Sequence, residues 1–353
     1  MECYDSNNTQ GNVFETNTTR SQRPQTGYDL PIYGLDDGQF YEIHIPAITC
    51  IAISFFSGLA VLISSFRIQS YKTFFSWTTS ERFVVYLSFC DILFNMAHSL
   101  DHIHIVITRD HVYPKGLCSF YGFMLAEFIS AQNLLVNIIA FNAFLLLYYC
   151  RQMNFGVRDW RLLVYTYGVP LIATSIAASL KTLGPNGTFC YFDGVRGEVA
   201  NLLFTTVPLI LVLTCNIILY WLTWRRIRID SKRIKNVLGK EAATIRASHR
   251  VAGTMTIFVM AFLIQWWAMA IYGVWQLVGN VPQVLFQFVT TFSNTGGVIN
   301  GIVYIIIRRR NSNKPNRNRT VKVALKKQTT PQDVIMVSVI QFGNKSDSNN
   351  NSG

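Results

Sequence analysis

Apolar residues dominate seven stretches of the chain, at 44–66, 82–107, 117–149, 162–181, 199–224, 251–278 and 283–307. Each is long enough for a helix across the hydrocarbon of a bilayer, which takes about 20 mostly apolar residues. The third is long enough to cross at a tilt. The turn around Asn280 and Pro282 is so short that the last two segments must be antiparallel neighbours. Within the second segment Asp91, Asn95, His98 and His102 recur at helical spacing, a polar stripe in an apolar run. An ionised group near the bilayer centre costs at least about 2.5–3.5 kcal/mol. The stripe must therefore face the interior of a bundle. The pattern predicts an all-α membrane protein with a seven-helix transmembrane bundle over 44–308. Polar tails at 1–43 and 309–353 are expected to be largely disordered.

Composition supports a bilayer and orients the chain in it. Only 14% of the residues are charged, against roughly 25% in soluble domains. The net charge of +12 would fit a nucleic-acid binder, but its distribution does not. With the N-terminus outside, 25 of the 31 Lys and Arg fall in the inner loops and C-terminal tail and 6 on the outer side. Inner-side enrichment of this kind orients multi-pass proteins. The expected arrangement has the N-terminus outside and the C-terminus in the cytoplasm, with basic inner loops against anionic lipid. No cleavable leader pattern opens the chain, so the first segment is expected to act as a signal anchor. Sequons at Asn7, Asn17 and Asn186 fall on the outer side and are candidate glycosylation sites. Cys118 opens the third segment at its outer end and Cys190 lies in the second outer loop. Both face the oxidising side, where a bridge persists, and their disulfide would tie the loop over the bundle mouth.

The order of short motifs resembles the G-protein-coupled receptor superfamily. Leu87–Asp91 (LSFCD) is similar to the Leu-Ser/Ala-x-x-Asp motif of rhodopsin-like receptors. Phe262 and Trp266 in FLIQW keep the spacing of an aromatic switch pair. Asn300–Tyr304 (NGIVY) resembles Asn-Pro-x-x-Tyr with Gly301 for proline, and Pro208 sits within segment five. There are departures. Asn142-Ala143-Phe144 stands where Asp-Arg-Tyr is expected, Leu59 replaces a segment-one Asn, and Ala268 replaces the segment-six proline. These point to a divergent member, in the direction of the cyclic-AMP-receptor-like or secretin-like groups. The resemblance implies a plasma-membrane receptor that is not an enzyme and needs no cofactor. It would pass the signal of an unknown extracellular ligand to a heterotrimeric G protein. Arrestin-type partners would follow phosphorylation of tail residues such as Thr320 and Ser338.

The resemblance implies two functional groups of residues. Asp91, Phe262, Trp266, Asn294, Asn300 and Tyr304 would form a switch network, with Asn294 and Asn300 as partners of Asp91. Gln132 and Gly296 stand where such receptors use Ser and Asn to hold sodium, which argues against that ion. His98, Asp101, His102, Glu127, Trp266, Trp267 and Tyr272 are candidates for the ligand pocket. His98, His102, His104 and His111 are read as an outer rim, either tuned by pH or merely wet polar residues at a helix end. Glu127 would counter a cationic ligand or pair with a histidine of segment two. Segment seven has no lysine for a retinal Schiff base. The principal rival is a seven-helix zinc hydrolase using His98 and His102 at i, i+4. Segments three to six offer no histidine and segment seven no His, Asp or Glu, so its third and fourth ligands are missing. A transporter or a non-signalling scaffold are further alternatives. Seven segments without an internal repeat do not pair into inverted halves.

Overall fold

A computed structural model describes residues 23–234, 240–279 and 281–312. Among the described residues six helices are long and apolar enough to cross a membrane: α1 (Phe40–Ile68), α2 (Thr79–Thr108), α3 (Lys115–Tyr149), α4 (Val157–Ser179), α5 (Glu198–Asp230) and α6 (Lys240–Trp275), whose apolar part is Val251–Trp275. The seventh segment is not the continuous helix that its pattern predicts. It consists of α7 (Gln283–Ser293) and α8 (Gly296–Ser312), broken at Asn294–Thr295. Gly296 and Gly297 follow the break, and glycine costs roughly 1 kcal/mol in a helix interior. They persist because nothing larger fits. A Cβ on Gly296 would lie 2.5 Å from the Asp91 carboxylate, and one on Gly297 2.2 Å from the Ser54 carbonyl.

Local chemistry accounts for the other irregularities. Thr78 and Glu81 start α2 with reciprocal side-chain caps on each other's backbone N–H. Pro114 sits at the start of α3, where a missing N–H is harmless. One π-helical turn, Val164–Gly168, precedes Pro170 in α4, and another, Leu202–Thr206, precedes Pro208 in α5. In each case the proline ring would meet the carbonyl four residues back and cannot donate to it. A widened turn relieves that clash.

The central helices are α2 and α3, with 67% and 61% of their apolar windows buried, whereas α1 and α4 at 28% are peripheral. Helix α3 packs against α2, α4, α5, α6 and the loop after α4. That loop is a two-stranded antiparallel hairpin, β1 (Leu183–Pro185) and β2 (Cys190–Phe192). The expected disulfide is present: Cys118 and Cys190 are bonded, with Cα atoms 5.2 Å apart, and pin β2 to the start of α3. Gly122, one turn further, lets the strands lie on α3, since a Cβ there would be 2.6 Å from the Tyr191 carbonyl.

Part of the N-terminal tail lies within the described residues. Its residues from 23 onward are laid over the hairpin rather than free. Asp193, 5% exposed, accepts the Gly27 N–H with both oxygens at 2.9 Å. Tyr33 donates to the Gly187 carbonyl at 2.9 Å, and the His111 ring meets the Leu30 carbonyl at 2.9 Å. His111 is thus buried under the tail and takes no part in an exposed rim. Asn7, Asn17 and the expected tail phosphorylation sites lie outside the described residues.

Candidate functional site

Asp91 is the centre of a polar network in the bundle. It is fully buried. Gln132 of α3 donates to one carboxylate oxygen at 2.7 Å and Asn300 of α8 to the other at 2.6 Å. Gln265 of α6 donates to Gln132 Oε1 at 3.3 Å and to the Ser293 carbonyl at 3.0 Å. That carbonyl has lost its helical partner at the break, so Gln265 satisfies an end that would otherwise be orphaned. Gly297 N–H donates to Ser54 Oγ at 2.7 Å, and Asn95 donates to the same oxygen at 3.2 Å. The network therefore joins α1, α2, α3 and α6 to both halves of the seventh segment. Asn300 takes its expected place beside Asp91. Asn294 does not; it meets His98 instead, at 2.9 Å.

A small cavity lies toward the disulfide end from this network. Phe94 and His98, Leu125 and Ile129, Trp266, and Ser293 are among its walls, with Phe189 of the hairpin. Its volume is about 10 Å³, room for about one water molecule. Of the residues expected in a ligand pocket, His98 and Trp266 line it. The others do not. Glu127 turns to α4 and accepts from Thr174 at 3.2 Å, so it meets neither the cavity nor a histidine. Trp267 stacks with Phe288 and Phe292 on the lipid-facing side and is 37% exposed. Tyr272 packs on Phe286. Asp101 accepts the Cys190 N–H at 2.8 Å and holds the hairpin. His102 lies deeper in a histidine chain. Phe262 is buried near Trp266 in the chain, and Tyr304 is partly buried, its hydroxyl without a partner among the described residues.

His98, His102 and His111 form no wet rim, whereas His104 is partly exposed. His98 and His102 are 2% and 0% exposed, and His44 of α1 is 0% exposed beside them. The rings form a line: His44 Nδ1 to His102 Nδ1 at 2.7 Å, then His102 Nε2 to His98 Nε2 at 3.0 Å. Among the described residues no three His, Cys, Asp or Glu side chains converge as metal ligands.

The opposite, basic end has its own contacts where Asp-Arg-Tyr is missing. Asn142 accepts the Met153 N–H at 2.9 Å and donates to Met255 Sδ of α6 at 3.5 Å. Arg82 grips Asp159 with two nitrogens, at 2.7 and 3.1 Å, and His249 of α6 meets Asp230 of α5 at 3.3 Å.

Residues 59–304 match the family described as 7 transmembrane receptor (rhodopsin family). The chain belongs to that family. The receptor is also similar in fold to a crystal structure of squid rhodopsin, with a TM-score of 0.59 and 16% identity. The match covers 76% of the receptor and 81% of the squid protein. No curated protein sequence matches it. The family match lends no support to the cyclic-AMP-receptor-like or secretin-like direction. It is consistent with the Asp91–Asn300 pair and the Cys118–Cys190 bridge, which survive where Asp-Arg-Tyr does not. Gln265, Ser54, Phe189 and His44 are site residues that motif reading passed over. Gln265 stands inside the quoted FLIQW, and a polar residue in an apolar segment was its available signal.

Proposed function

We propose that the receptor sits in the plasma membrane with its disulfide end outside and couples an extracellular ligand to a heterotrimeric G protein at its basic end. One observation carries this reading: Ser293 belongs to both halves of the machinery. It lines the cavity, and its carbonyl is held by Gln265 of the Asp91 network. A ligand that widens the cavity pushes on the break in the seventh segment and so on the link from α3 to α6. It shifts the receptor toward the active arrangement only by binding that arrangement better. A divergent subgroup fits the substituted inner contacts of Asn142.

The test needs no ligand. Full-length protein in lipid nanodiscs is assayed for nucleotide exchange on each heterotrimeric G-protein family. Gln265→Leu removes the α6 link, so it is expected to raise basal exchange on at least one family above wild type. Correctly inserted protein that stimulates none, in either form, would support the scaffold reading instead.

A further inference from the structure

We infer that His44, His102 and His98 form a proton-uptake site, a relay that takes one proton at His44 and delivers its charge to the break in the seventh segment. Hydrogen-bond directions fix where each ring carries its hydrogen. Asn294 donates its amide to the Thr290 carbonyl, so its oxygen faces His98, and an amide oxygen only accepts. His98 Nδ1 must therefore carry a hydrogen. A neutral imidazole has one donor and one acceptor, so His98 Nε2 accepts and His102 Nε2 donates to it. His102 Nδ1 then accepts from His44 Nδ1. All three tautomers are fixed, and one lone pair is left over at His44 Nε2. That atom is buried without a hydrogen-bond partner among the described residues. A buried polar atom left bare is costly, which makes it the natural point of entry.

The relay balances without turning a ring. A proton binds His44 Nε2. The Nδ1 hydrogen of His44 passes to His102 Nδ1, and the Nε2 hydrogen of His102 passes to His98 Nε2. Each bond survives with its direction reversed. The positive charge comes to rest on His98, which now donates to both His102 and Asn294, and it stops there because Asn294 has no site for a proton.

The surroundings decide what the charge does. Asp101, on the same helix, is engaged through Oδ2 by the Cys190 N–H; its Oδ1 has no hydrogen-bond partner among the described residues and makes no bond to the three rings. Asp91 is engaged by Gln132 and Asn300, and Glu127 of α3 by Thr174. Glu42 of α1 is exposed, and Gln283–Ser293 holds no ionisable residue. Trp266 of α6 and Phe189 of the hairpin present only aromatic rings to the His98 side of the cavity. No carboxylate is hydrogen-bonded to the three rings among the described residues, so the charge arrives without a counter-ion. A buried unpaired charge is expensive, and uptake favours an arrangement in which His98 is hydrated. Asn294 caps the end of α7 just before α8 begins. A cation there is attracted to the carbonyl end of one helix and repelled by the amide end of the next, so the charge acts on the break itself.

The experiment reads the rings directly and does not depend on G-protein coupling. Full-length protein with ¹⁵N-histidine is studied in nanodiscs by solid-state NMR from pH 8 down to about pH 4, past the range where exposed histidine titrates, because an unpaired buried charge is expensive. At pH 8 the expected spectrum shows through-bond couplings for the His44–His102 and His102–His98 pairs, with hydrogens on His44 Nδ1, His102 Nε2 and His98 Nδ1. On acidification a single ring, His98, becomes doubly protonated, and the hydrogens on the other two change nitrogen. In His44→Gln the entry atom is lost and the His102 and His98 tautomers stay as they were at pH 8; His104→Gln leaves the wild-type behaviour intact. Independent titration of the three rings, no titration in wild type, or an unchanged response in folded His44→Gln overturns the proposal. Should His44→Gln not fold, the tautomer exchange in wild type alone decides.

Discussion

At the scale of single residues, Asp91 shows how much one carboxylate can organise. Each oxygen accepts from a different helix. Asp91→Asn replaces one acceptor oxygen by an amide NH2 that faces a donor. Leaving a buried polar group unsatisfied costs about 1–3 kcal/mol. The expected outcome is a lower thermal midpoint in detergent and altered G-protein exchange, with surface abundance changed less than signalling; equal loss of both would make Asp91 a brace only. Asp29 offers a second test, outside the membrane. The backbone N–H groups of Gln25 and Thr26 hold its carboxyl below the usual 3.8. The sign follows: a depressed folded value contributes order above the unfolded value and loses it as pH falls through the folded one. The protection of the Thr26 amide, measured relative to its intrinsic exchange rate at each pH, should therefore fall in acid below about pH 4, and Asp29→Asn should show the low protection at all pH values.

Elements make their own predictions. The hairpin is held by the Cys118–Cys190 bridge, by Asp101 and by the tail. The bridge closes a stretch of 72 residues, and native disulfides contribute about 2–4 kcal/mol. Cys118→Ala or Cys190→Ala is expected to lower both thermal stability and surface abundance. Asp193 also holds the hairpin's own exit, accepting from Val195 and Arg196 N–H at 2.9 and 2.8 Å. Asp193→Ala should release the tail from the hairpin, read as new chymotryptic cleavage after Tyr33. Protection equal to wild type would mean that Tyr33 and His111 hold the tail by themselves. Tyr28 belongs to the same cover; burial pushes its phenol up to about 12, so it remains a donor to the Val112 carbonyl across the neutral range.

For the whole molecule, the open matter is which end faces out. Asn186 lies in the turn of the hairpin, where its oxygen accepts from Thr188 and Phe189 N–H, each at 3.0 Å. A glycan attaches to the amide nitrogen and leaves that oxygen free to hold the turn. In a chain already carrying Asn7→Gln and Asn17→Gln, glycosidase digestion is expected to remove mass that a further Asn186→Gln abolishes. Glycan loss independent of Asn186 would count against the proposed orientation.

The sequence by itself determined what depends on nearest neighbours along the chain and on the solvent. Seven apolar stretches demand a bilayer. The positions of Cys118 and Cys190 specified their bridge. The stripe Asp91, Asn95, His98, His102 was legible as an interior face because a helix repeats every 3.6 residues, and all four are at most 2% exposed. Partners across the bundle were not legible. His44 and His102 are 58 residues apart, and His98 and Asn294 are 196 apart. Their meeting depends on the depth and rotation of each helix, which side-chain packing decides once the lipid has removed any hydrophobic preference between helices. The same packing split the seventh segment, because α1 and Asp91 approach Gly297 and Gly296 too closely for any side chain. It also turned Glu127 and Trp267 away from the cavity, a choice of helix face that their apolar surroundings in the sequence do not record.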